Sequence, residues 1–191
     1  MNLMKPSRTF ALAALCLFAG TASAHTGSHT VTGFISGLTH QLLGLDHLLA
    51  MVAVGLWAAQ QGGRALWAVP AAFVGAMLVG GSLALSGMAL PHVETAIAAS
   101  VLVLGLLIAT RRQWAVPLGM ALAAGFALFH GHAHGLEMPL AASPMLYALG
   151  FVLATAFLHA AGIASHRAGH RAVQWAGAGI AATGFALMVT L

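Results

Sequence analysis

The stretch GLTHQLLGLDHLLAMVAVGLWAA, Gly37 to Ala59, decides how the chain is read. From Leu48 onward it is an uninterrupted apolar run, the composition of a helix that crosses a membrane. Just before that run stand His40, Asp46 and His47. An ionisable side chain at the centre of a membrane helix costs roughly 2.5 to 3.5 kcal/mol even on the lenient insertion scale, so these groups need partners elsewhere in the chain.

The rest of the sequence agrees that the solvent is lipid. Of 191 residues, 60% are hydrophobic and 5% charged, 23 are glycine, and the mean hydropathy is +0.94, which excludes a water-soluble globule. Six apolar segments follow one another: Gly33 to Ala59, Leu66 to Met88, Val93 to Ala109, Trp114 to Phe129 with a His-rich extension, Pro144 to Ile163, and Val173 to Leu191. Most approach the ~20 residues that span the hydrocarbon core. The expected fold is all-α, a polytopic membrane protein of six transmembrane helices. Small residues such as Gly75, Gly80 and Gly125 within the segments are read as sites of close helix packing.

Ahead of these segments, Lys5 and Arg8, the apolar run from Thr9 to Gly20 and the small residues Ala22-Ser23-Ala24 have the layout of a secretory signal peptide. Residues 1–24 are therefore expected to be cleaved, leaving residues 25–191 as one transmembrane domain. The single cysteine, Cys16, leaves with the leader, so no disulfide, thiolate ligand or cysteine nucleophile is expected. The pI of about 10.8 does not indicate a nucleic-acid partner: the mature chain sets five arginines against three carboxylates, a formal +2. Arg64, Arg111, Arg112, Arg167 and Arg171 all fall in alternate connections. The positive-inside rule makes that side cytoplasmic and puts both termini outside.

The three mature carboxylates each lie within three residues of a histidine: Asp46 beside His47, Glu94 after His92, and Glu137 after His134. Imidazole with carboxylate, and no cysteine, suits a borderline divalent ion such as nickel, cobalt, zinc or copper(II). His130 and His134 in FHGHAHGLE are four apart, one turn of a helix, and can chelate a single ion. His132 projects to the opposite face of a regular helix, and Glu137 returns to the chelating face if the helix persists that far. His40 and His47 are seven apart, ~10 Å along a continuous axis, so they read as successive steps unless the helix is broken near Gly44. Asp46 either binds the ion or orients a histidine. Counting along the segments puts His40 and His130 in the outer half, His47 midway, His159 nearer the cytoplasm, and Glu94, His134 and Glu137 at the outer mouth. That gradient favours permeation over one fixed catalytic centre. His166 and His170 are read as surface groups, His25 and His29 as a polar leader, and the scattered methionines as packing.

At these residues the sequence resembles the HupE/UreJ family of membrane proteins. The resemblance runs through HTGSHTVTGFISGLTH, GLDHLLAMVAVGLWAA, FHGHAHGLE and ATAFLHAAG (Ala154 to Gly162). His40, Gly44, Asp46 and His47 fit the family's first-span motif, with Gln41 where the motif has proline; His130, Gly131, Ala133, His134, Gly135 and Glu137 fit the fourth-span motif. The resemblance implies a secondary permease, not an enzyme, that imports nickel or in some cases cobalt across the bacterial inner membrane, linked to hydrogenase or urease systems. The metal would be cargo, carried on His40, Asp46, His47, Glu94, His130, His134, Glu137 and His159, with no prosthetic group. No Gly-x-x-x-x-Gly-Lys-Ser/Thr loop is present for direct ATP driving. Two other classes remain open on the residues alone: a membrane-embedded metal-dependent hydrolase or oxygenase, and a metal-sensing accessory subunit.

Overall fold

The computed structural model describes residues 33–191. The expected leader over residues 1–24 with Cys16, and His25 and His29, lie outside the described residues. Regular structure among those residues is helical: α1 (Gly33–Leu43), α2 (Leu45–Gln61), α3 (Ala65–Leu85), α4 (Val93–Thr110), α5 (Val116–Leu136), α6 (Pro144–Ser165), a 3-10 turn (His166–Ala168) and α7 (His170–Thr190). Five of them, α3 to α7, are long and apolar enough to cross a membrane. A sixth span is completed only if α1 and α2 are taken together, and they meet at 81°. The molecule is therefore a multi-pass membrane protein whose first span is not the straight rod expected from Gly33 to Ala59.

The bend sits at Gly44, whose backbone is extended (φ −77°, ψ 113°) between two helices. Its N–H still closes α1 on the His40 carbonyl at 3.3 Å, and its own carbonyl opens α2 by accepting from Leu48 N at 2.9 Å. Breaking the helix there leaves the first amide donors of α2 without intrahelical acceptors. Asp46, in that first turn, accepts from the His47 backbone N–H at 2.8 Å and sets a negative charge against the positive end of the helix dipole.

Other ends have local causes. Gly62 and Gly63 take positive φ after α2, with Gly62 N–H returning to the Ala58 carbonyl, and Pro144 opens α6 where a missing N–H costs nothing. At the arginine-bearing end, Gln60 and Gln61 donate to the carbonyls of Ile108 and Arg112 at 2.9 and 2.7 Å, fastening the end of α2 to the last turn of α4 and the connection after it.

Three helix pairs dominate the packing: α1 and α2 against α6, α3 against α5, and α4 against α7. Each is a glycine-lined approach of two backbones. A Cβ on Gly37 would fall on the Tyr147 carbonyl, one on Gly80 on that of Leu128, one on Gly131 on that of Met77, and one on Gly105 on the amide of Ala181. With α1 and α2 counted as one span, exchanging the first three spans for the last three maps this pairing onto itself. Within the bundle Trp57, Phe73, Met51 and Met77 are fully buried, while Trp67, Phe157, Trp175 and Phe185 face outward. An apolar exterior around an interior that holds histidines is the inverse of a soluble protein and fits a lipid solvent.

Candidate functional site

The break at Gly44 turns the end of α1 back toward the start of α2, and the rings of His40 and His47 stand 6.3 Å apart. This corrects the separation of ~10 Å computed for a continuous helix. Both rings meet His134 of α5, at 5.0 Å from His40 and 4.5 Å from His47, and His47 also lies 4.9 Å from His130. α5 stays regular to Leu136, so Gly131 and Gly135 do not interrupt it and His130 and His134 share one face. Four histidines from three helices thus form one contiguous group.

A histidine nitrogen that meets a carboxylate or a carbonyl must be the donor, because those oxygens only accept. His47 Nδ1 donates to Asp46 Oδ1 at 2.9 Å, and its Nε2, the lone-pair nitrogen of the neutral ring, is buried with no partner. His40 Nε2 donates to Glu137 Oε2 at 2.7 Å. That bond is the main influence holding the Glu137 carboxyl below its usual range. His130 Nε2 is bonded by Ser100 and its Nδ1 is a buried orphan; His134 has no partner at either nitrogen and stacks on Phe151 at 5.1 Å. Imidazoles oriented by a hydrogen bond at one nitrogen, with the other unengaged, are the usual form of metal-ligating histidines. Among the described residues, no three His, Cys, Asp or Glu side chains are already gathered in a geometry that would hold one ion.

The other expected site residues fall differently. Glu94 lies in the first turn of α4, exposed, without an ion pair or hydrogen bond among the described residues. His159 of α6 is buried outside the four-histidine group, 5.5 Å from Phe73, whose ring also lies 5.7 Å from His130. His132 projects away from His130, as its spacing requires, and donates to the Met88 carbonyl at 2.8 Å. Glu137 pairs with His40, not with its sequence neighbour His134.

Several contributors were not singled out in the sequence. Ser100 and Phe73 are ordinary residues in apolar segments, and nothing in their spacing marks them. Gln41 was noted only for standing at a proline position; its side chain is fully buried and neither amide atom has a partner. Tyr147, with its hydroxyl unpartnered, and His134 line a cavity of about 70 Å³ between α3, α5 and α6. That is several times the roughly 10–15 Å³ one water needs.

A family model described as HupE / UreJ protein matches residues 13–187. A curated relative named Protein HupE, from Rhizobium leguminosarum bv. viciae, is 48% identical over 192 residues, covering 97% of this chain and 100% of the relative. No solved structure matches.

Proposed function

The chain belongs to the HupE/UreJ family, and from that premise we propose that it is a secondary permease importing a divalent transition metal, nickel or cobalt, across the bacterial inner membrane. The observation that carries this reading is the group at the Gly44 break, where His40 and His47 meet His130 and His134. The ion is taken up at the outer mouth, where Glu94 and the exposed His40–Glu137 pair offer carboxylate and imidazole. It then passes to the lone pairs of His47, His130 and His134 beside the Asp46 carboxylate, and on past Phe73 to His159 toward the arginine-bearing side. Neutral imidazoles with one nitrogen held and one free bind borderline cations without an oxidation step. Both termini lie outside, after removal of residues 1–24. The family's association with hydrogenase and urease systems supports delivery of the imported metal to the maturation of such enzymes.

Accumulation of radiolabelled nickel by cells expressing the chain tests the reading. The permease predicts net uptake above cells lacking it, diminished by competing cobalt. Stoichiometric binding with no accumulation would contradict it and favour an accessory or enzymatic role.

A further inference from the structure

Ser100 of α4 is completely buried and its hydroxyl touches two groups: the Ile97 carbonyl at 2.7 Å and His130 Nε2 at 2.8 Å. A serine hydroxyl has one hydrogen to give and two lone pairs with which to accept. The Ile97 carbonyl has no hydrogen, so at 2.7 Å the Ser100 hydroxyl donates to it, as helix serines commonly do to a carbonyl one turn back. What remains toward His130 is a lone pair, which requires His130 Nε2 to carry the ring hydrogen. His130 Nδ1 is then the acceptor nitrogen, and it is buried with no partner in a ring 4.9 Å from His47.

From this we infer that Ser100 is a positioning residue that locks His130 in the Nε2–H form and reserves Nδ1 as the lone pair available to a cation. The inference rests on the permease reading only for what the lone pair is used on. It brings α4 into the four-histidine group, since Ser100 touches no ion yet determines which nitrogen of His130 does. Asp46 does the same for His47 with the opposite nitrogen, holding Nδ1 and freeing Nε2. Without Ser100, the isolated His130 ring has no acceptor to hold its hydrogen at Nε2, and the two tautomers become competitive. Loss of such an orienting hydrogen bond typically weakens metal binding by about 10- to 100-fold.

Nitrogen NMR of the full chain labelled at histidine, metal-free and in lipid nanodiscs, reads the tautomer directly once His130 is assigned by its loss in His130→Gln. The wild type should show Nε2 protonated and Nδ1 as a lone-pair nitrogen. Ser100→Ala should lose that pattern, and Ser100→Thr, which restores the hydroxyl, should keep it. Equilibrium binding of nickel to the same preparations should weaken at least tenfold in Ser100→Ala and recover in Ser100→Thr. A His130 protonated at Nδ1 in the wild type, or wild-type nickel affinity in Ser100→Ala, would overturn the assignment. A wild type that neither binds nor transports nickel overturns the permease reading instead, while the nitrogen signals still decide the role of Ser100.

Discussion

Gly44 controls the site through what it lacks. Its φ of −77° is open to any residue, so the need for glycine is steric: a Cβ there would come within 3.2 Å of Asp46 Oδ1 and 3.3 Å of His47 Nδ1, the two atoms that bond each other. Gly44→Ala should therefore reduce metal uptake partly and Gly44→Val severely, at unchanged protein level in the membrane; equal uptake by Gly44→Val and wild type would remove the steric role. Glu137 offers a test with a sign. Its carboxyl is held below the ordinary 4.5, first by the hydrogen bond from His40, so the pair contributes stability above pH 4.5 and loses it as the pH falls through the lower folded-state value. Thermal melts of the detergent-solubilised chain should lose stability on acidification below that range, and Glu137→Gln should lack that component of the slope.

Individual helices separate glycines that look alike in sequence. Gly75 and Gly80 share α3, and Gly125 and Gly131 share α5, but only Gly80 and Gly131 face a partner's backbone, while a Cβ at Gly75 or Gly125 meets nothing within 4 Å. Gly80→Ala or Gly131→Ala should destabilise by about 1–3 kcal/mol through overpacking against backbone that has no rotamer to yield. Gly75→Ala and Gly125→Ala should melt at or slightly above the wild-type temperature. The sequence marks the abundance of small residues but not which ones meet a neighbour, because that depends on helix rotation. The same limit explains Glu137: its return to the histidine face of α5 follows from spacing, whereas its bond to His40 depends on how α1 docks. The pair His130 and His134 was legible because i,i+4 neighbours share a face in any regular helix. The break at Gly44 was legible only as a condition, since an extended glycine and a helical one have the same letter, and the misjudged separation of His40 from His47 follows from that alone.

Across the whole molecule, the six apolar segments and the alternation of arginines were readable from composition, because lipid constrains both length and charge placement, but five of the segments are single helices long enough to cross and the first is a bent pair. The interior group was not, since it joins residues from α1, α2, α4 and α5 that are distant in the sequence. Residues 25–191 carry no cysteine, so sidedness can be tested with single cysteines introduced there in a Cys16→Ser background. Ala168→Cys, exposed beside Arg167, should react with membrane-impermeant thiol reagents only from the cytoplasmic face, and Leu140→Cys, fully exposed in the connection before α6, only from the outer face. Labelling of both from one side would contradict the orientation. The central claim is that the histidines and carboxylate gathered at the Gly44 break carry the ion, and uptake of radiolabelled nickel into proteoliposomes holding the purified chain tests it most directly. Asp46→Asn and His134→Ala should each lower the initial rate at least tenfold in folded protein; rates equal to the wild type in both would contradict the account.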